Sequence, residues 1–338
     1  AMLLTGFLVG IPLYYNAGFV ILVPLVFSVA RRTKLPLLYI AIPMAASLST
    51  THCFLPPHPG PVVLVNAFKA NMGKTLLYGL VMAVPAVIIA GPLLGRAMQR
   101  IKVNISNLFA IKEEMPKTLP PALPSFVIAL LPVLLITLSV LADNFIQGDT
   151  TLKRILDFTG DPTIALLIAV LLSVWYFGLR KGESMDTAMK WLSDGISGIA
   201  MILLIITAGG VFKQVLTDSG TGEQIAALSK QWNLPPLVFG WIVTALLRVT
   251  IGSATVAGIT AAGVVAPLVA AGNVSPELMV LSVGAGSVFG SHINDTGFWM
   301  FKEFFKLSLK QTFLSWTLME TSISIIGLAG VLLLNAVI

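Results

Sequence analysis

Charge is scarce in this sequence. Only 11% of its 338 residues are Asp, Glu, Lys or Arg, whereas about a quarter of a soluble globular domain is charged. That shortage, with 56% hydrophobic residues and a mean hydropathy of +0.92, excludes water as the solvent of most of the surface. Cysteine is nearly absent too. The lone Cys53 rules out an internal disulfide and a multi-thiolate metal site. No glycine-rich phosphate-binding loop occurs, so ATP-driven pumping would need a separate subunit. The first apolar run is long and ends in Arg31, Arg32 and Lys34, which reads as a retained span rather than a cleaved signal peptide.

What is present is a series of apolar runs. A span of the hydrocarbon core takes about 20 apolar residues, and this rule predicts ten crossings. They run Met2 to Ala30, Leu35 to Phe68, Thr75 to Met98, Leu123 to Phe145 and Thr163 to Leu179, then Gly195 to Leu216, Pro235 to Thr250, Ile251 to Ala271, Glu277 to Phe301 and Gln311 to Val337. Residues 218–233 read as an amphipathic surface helix. Lys and Arg concentrate in alternate loops: Arg31, Arg32 and Lys34; Arg96, Arg100, Lys102, Lys112 and Lys117; Arg180, Lys181 and Lys190. By the positive-inside rule those loops are cytoplasmic. The net charge of +6 therefore reflects topology, not nucleic-acid binding. The expected fold class is an all-α integral membrane protein built as one multi-pass domain, residues 1–338.

An internal repeat is legible within it. "VPLV" at Val23 to Val26 is followed by Pro36 and His52, and "APLV" at Ala266 to Val269 by Pro276 and His292; the Pro-to-His spacing is 16 residues in both. The charge pattern gives the two copies opposite orientations, which is the signature of an inverted-topology repeat whose broken helices meet near the bilayer midplane. This predicts a first repeat over 1–99, a cytoplasmic linker over 100–122 and a second repeat over 123–338. The first copy starts almost at residue 1, which predicts roughly four further spans ahead of it in an equivalent half.

Polar residues gather at two interruptions. "LSTTHCFLPPHPGP", Leu48 to Pro61, carries four prolines after its histidine-bearing stretch, and no continuous helix passes through it. Such backbone at membrane depth lines a cavity or is buried in protein; the plainer alternative is a loop at the membrane surface. "GSVFGSHINDTGFW", Gly286 to Trp299, sets Ser291, His292, Asn294, Asp295 and Thr296 inside an apolar span, where an isolated carboxylate is costly. Upstream, "RVTIGSATVAGITAAG" from Arg248 combines small residues suited to helix packing with a guanidinium. That group either pairs with a substrate carboxylate or snorkels to headgroups. Its counterpart in the first half is "GIPLYYNAGF", where Tyr14, Tyr15 and Asn16 offer hydroxyl and amide groups or serve as interfacial belt residues. Glu303 and Glu320 either serve the function or read as interfacial carboxylates.

With "PPHPGP", "GSATVAG" and "SHINDTGFW" in this order, the chain resembles the gluconate permease family, gluconate:proton symporters of the ion transporter superfamily. The resemblance runs over essentially the whole chain. It implies uptake of gluconate or a related sugar or hydroxy acid driven by protons, with elevator-type alternating access in a homodimer of the bacterial inner membrane. Asn16 departs from the family, many members of which carry an acidic residue there.

The resulting expectation is a transporter rather than an enzyme, without catalytic residue, metal or cofactor. Its substrate site would comprise Tyr15, Asn16, Thr50, Thr51, His52, His58, Arg248, Ser253, Thr255, His292, Asn294 and Thr296, with the anion at half-helix N-termini. Asp295, His292 or His52 would take the coupled proton. The competing readings are a sodium-coupled carboxylate carrier, a D-serine or other small hydroxy-acid permease, and an intramembrane enzyme with His292 and Asp295 as its acid/base pair.

Overall fold

The computed structural model describes residues 1–101, 103, 121–146, 150–197, 211, 215, 218–219, 234–272 and 274–338. Every extended regular element among them is a helix. Most of the predicted crossing from Gly195 to Leu216, of the surface helix over 218–233 and of the linker lies outside the described residues.

The chain divides into two compact units, residues 111–208 and the remainder. The larger unit begins with α1 (Met2–Gly10) and α2 (Tyr15–Thr33). Here the structure corrects the expectation of one span from Met2 to Ala30. Pro12 lacks an N–H, and the chain turns through residues 11–14 before α2 begins. A left-handed Lys34 ends α2, and Pro36 opens α3 (Leu37–Phe54). The predicted crossing from Leu35 to Phe68 breaks at its proline tract into two helices, α3 and α4 (Pro59–Phe68). α5 (Met72–Ile88) follows, capped by the Asn71 side chain and prolonged through a π turn at Ile89–Leu93.

The smaller unit holds α6 (Ala122–Phe145), α7 (Thr151–Gly160) and α8 (Pro162–Ser173). Both α7 and α8 pack on α6. Asp161 caps α8 by accepting from the N–H groups of Thr163 and Ile164, with Pro162 at the first helical position, where a missing N–H costs nothing. Beyond α8, the Arg180 guanidinium lies 5.7 Å from the Trp175 ring and 5.1 Å from that of Tyr176, an arrangement suited to a membrane interface.

The larger unit resumes with α9 (Pro236–Ile251), α10 (Ala254–Ala270), α11 (Pro276–Gly286), α12 (Thr296–Phe304) and α13 (Leu318–Val337). A π turn at Phe313–Thr317 leads into α13. The predicted crossing from Glu277 to Phe301 is broken between α11 and α12.

Six helical stretches among the described residues are long and apolar enough to cross a membrane, and α9 and α10 are apolar but shorter. The protein is a multi-pass membrane protein. α3 and α11 form its core: all of α3 but Tyr39 and His52 is buried, as is α11 from Leu278 onward. Helices apolar all round belong in that position. Outward positions such as Leu4, Ile21, Val81, Leu246 and Leu333 stay exposed, as lipid-facing surface requires.

Candidate substrate site

Both sequence interruptions are breaks between helices of the larger unit. At the first, α3 stops at Phe54, Leu55 is extended, and α4 restarts at Pro59 with His58 as its N-cap. Within residues 59–61 only Gly60 carries an N–H, because Pro59 and Pro61 have none. A Cβ placed on Gly60 would meet no atom within 4 Å, so this first turn borders open space. His58 is buried and its Nε2 lies 2.7 Å from the Gly10 carbonyl oxygen. A carbonyl only accepts, so Nε2 carries the proton, and this bond ties the break to the end of α1. The His52 and His58 rings meet edge to face at 5.3 Å.

At the second break, Asp295 caps α12 through the Gly297 N–H at 3.0 Å. Its other oxygen accepts from Arg248 Nη2 at 2.6 Å and from Ser291 Oγ at 2.5 Å. Ser291 Oγ in turn accepts from Trp316 Nε1 at 2.7 Å, and Thr317 Oγ1 donates to the Ser291 carbonyl at 2.6 Å. The π turn before α13 thus presents Trp316 and Thr317 together to the break. The Trp316 ring also meets Tyr15 of α2 at 5.3 Å, which joins the two halves of the chain. Asn294 Nδ2 donates to the Val249 and Thr250 carbonyls, closing the C-terminal end of α9. That end turns through Gly252 at φ +85°, and Ser253 caps α10.

Beside the first break lies a small, partly open cleft lined by His52, Gly60, Pro61, Thr255, Gly258 and Ser287 among others. The first turns of α4 and α10 both border it. First-turn N–H groups have no partner within their helix and carry partial positive charge, so Gly60, Ala254 and Thr255 bring two helix N-termini to a cleft whose wall is otherwise mostly apolar.

Buried polar atoms without partners collect around the same region. Among the described residues they are Tyr15 Oη, Thr50 Oγ1, His52 Nδ1, Arg248 Nε and Nη1, and Glu320 Oε1. Native interiors rarely leave such groups unpaired, and each one calls for an explanation. Asp295 lies within electrostatic range of Tyr15, His52 and Glu320. Three of the orphan-bearing residues, Tyr15, His52 and Glu320, therefore neighbour the ion pair. Arg248 is 2% exposed, which excludes the snorkelling alternative. Two of its three nitrogens remain without partners in a desolvated setting, where a carboxylate pairs strongly.

The expected site residues separate into groups. His52 and Thr255 line the cleft; Tyr15, Thr50, Arg248 and Asp295 stand in the orphan-bearing cluster. Thr51, His58, Ser253, His292 and Asn294 hold the backbone of the breaks: Thr51 Oγ1 bonds the Leu48 carbonyl, and His292 Nδ1 that of Gly290. Asn16 and Thr296 are exposed, in the first turns of α2 and α12. Sequence reasoning missed Trp316, whose role depends on a contact, and left Glu320 between a functional and an interfacial reading. This carboxylate is not interfacial; it is 2% exposed and accepts from Ser49 Oγ at 2.9 Å. Its place in an apolar run was the available signal.

Known proteins agree with this architecture. The sequence profile of the GntP family permeases matches residues 1–337. A high-affinity gluconate transporter of Escherichia coli K12 is 49% identical over the full length of this chain and 77% of its own. An L-idonate transporter of the same organism is 45% identical over the same share, and a gluconate permease of Bacillus subtilis 41% identical over the full chain and 78% of its own length. The helices and these bacterial relatives make the protein a multi-pass inner-membrane permease, not an enzyme. The chain belongs to the GntP permease family.

Proposed function

We propose that this permease imports gluconate or a close relative such as idonate by proton symport. The observation that carries the reading is a buried arginine, Arg248, with two unpartnered nitrogens among the described residues, in the same unit as a small cleft bordered by two helix N-termini. A monoanion rich in hydroxyls matches both features: its carboxylate suits Arg248 and the N–H groups, and its hydroxyls suit Thr50, Thr255, Tyr15 and His52. The relatives' names point to the same substrate class.

The repeat is part of the proposal. The series α1, break, α2, α3, break, α4 corresponds element by element to α9, break, α10, α11, break, α12. Pro24 lies inside α2 and Pro267 inside α10, Pro36 and Pro276 open the next helices, and α1 packs on α3 as α9 packs on α11. This correspondence supports repeats over 1–99 and 123–338 around the linker 100–122, inverted across the membrane. Elevator-type movement within a homodimer completes the reading.

Proteoliposomes holding the purified protein test it. An inward proton gradient is expected to drive accumulation of labelled gluconate, unaffected when potassium replaces sodium. No uptake above empty vesicles for gluconate, idonate, glycerate or D-serine would contradict the reading. Dependence on sodium would replace the proton with that ion.

A further inference from the structure

Two carboxylates stand in this region, Glu320 buried and Asp295 half-buried, and their surroundings are unequal. Asp295 receives three donors: Arg248 Nη2, Ser291 Oγ and the Gly297 N–H. A proton placed on it would disrupt the ion pair and the α12 cap together. Glu320, near the start of α13, has one donor, Ser49 Oγ of α3, and its Oε1 is buried without a partner. An ionised carboxylate in that position bears most of its desolvation uncompensated, whereas a neutral carboxyl needs little more than it has. Paired titratable groups whose environments differ in this way divide the acid and base roles between them.

We infer that Glu320 is the residue that carries the coupled proton, with Asp295 remaining ionised as the counter-ion of Arg248. The inference rests on the symport reading above and assigns it to a specific atom. The titratable and charged groups around Glu320 are Tyr15 on α2, Cys53 on α3, Arg248 on α9 and Asp295 at the second break. Arg248 is the cation among them, and Asp295 holds it through one of its three nitrogens. In the outward-open state Glu320 takes a proton from the external solution, which leaves Arg248 to attract the substrate anion. In the inward-open state the anion departs and the proton is released to the cytoplasm, so one positive and one negative charge cross together. The π turn immediately before α13 is a local distortion of the kind that accompanies functional sites, and it sets Trp316 and Glu320 on the same approach to the ion pair.

The test compares wild type with Glu320→Gln in proteoliposomes by two assays: accumulation of labelled gluconate under an inward proton gradient, and exchange of labelled for unlabelled gluconate without a gradient. The variant is expected to retain exchange above empty vesicles while its accumulation falls to the level seen without a gradient. Gradient-driven accumulation equal to wild type would overturn the inference. So would loss of exchange together with accumulation in a protein that still melts cooperatively, since that outcome marks a binding role. Ser49→Ala gives a second readout if Glu320→Gln does not fold. It removes the donor that favours the ionised carboxylate and is expected to move the alkaline limb of the uptake profile to higher pH; an unmoved limb would overturn the inference. Wild type without exchange would overturn the symport reading itself, and this assignment with it.

Discussion

Arg248 Nη2 and Asp295 Oδ2 lie 2.6 Å apart although 47 positions separate them in the chain, and the arginine is 2% exposed. The pair joins the end of α9 to the second break. It holds Asp295 in place as the α12 cap and leaves the remaining guanidinium nitrogens available to a second anion. Under the proposed function, affinity for a carboxylate and integrity of the break would be coupled through one side chain.

Removing one member of this pair is predicted to cost more than removing both. Breaking a buried ion pair costs about 3–5 kcal/mol, and the 17% exposure of Asp295 places this one toward the lower end. Arg248→Ala and Asp295→Ala should each lower the melting temperature, and the double variant should recover part of the loss without recovering uptake. Additive losses in thermal melts would show that the pair contributes no coupling. Arg248→Lys retains the charge without the planar fork, so uptake should weaken mainly through KM.

Thr50 provides the opposite behaviour. Its hydroxyl is fully buried without a partner, and replacing an unsatisfied polar group by an apolar one of the same shape is neutral or stabilising. Thr50→Val should melt at or above the wild-type temperature, by up to about 1 kcal/mol of added stability, while gluconate affinity falls. Unchanged affinity would remove Thr50 from the substrate site.

Two left-handed glycines should respond differently to alanine. Gly252 has φ +85°, and its Cβ would collide with the Asn294 carbonyl oxygen, whereas Gly272 at φ +76° has nothing within 4 Å. Gly272→Ala should cost about 1 kcal/mol of backbone strain. Gly252→Ala should cost more, because it also displaces the second break, and should abolish transport. Equal losses of stability would mean that the α9–α10 turn and Asn294 are not in close contact.

Trp316 anchors Ser291, and Ser291 anchors Asp295. Trp316→Phe keeps the ring against Tyr15 but loses the indole donor. The loss should be about 1–2 kcal/mol, with a further decrease in gluconate affinity as Asp295 loosens. A variant with wild-type affinity would limit Trp316 to packing.

The two breaks were legible in the sequence because proline without an N–H, and a polar run inside apolar helix, leave few alternatives. The helix end at Gly10 escaped notice, although Pro12 signalled it, since the apolar run continues through both α1 and α2. Partners were less legible than positions. Arg248 stood out as a charge near small residues, but nothing in the spacing pointed to Asp295 as the group that would hold it. An interfacial place for Glu320 was one of two readings open from its position early in the last span. The π turn and Ser49 carry it into the interior instead, and only packing discloses that. Asn16 follows Tyr15 immediately, yet on a helix adjacent residues face about 100° apart, so one is buried and the other exposed.

The central claim is that a carboxylate anchored by Arg248 and two helix N-termini holds the substrate in the cleft. Thermal melts of the purified protein with D-gluconate and with D-glucitol, which keeps the hydroxyls but lacks the carboxylate, test it most directly, since a ligand of the folded state raises stability. Gluconate is predicted to raise the melting temperature in wild type and much less in Arg248→Lys, and glucitol to leave both unchanged. Equal shifts from the two ligands, or a gluconate shift indifferent to Arg248, would contradict the account.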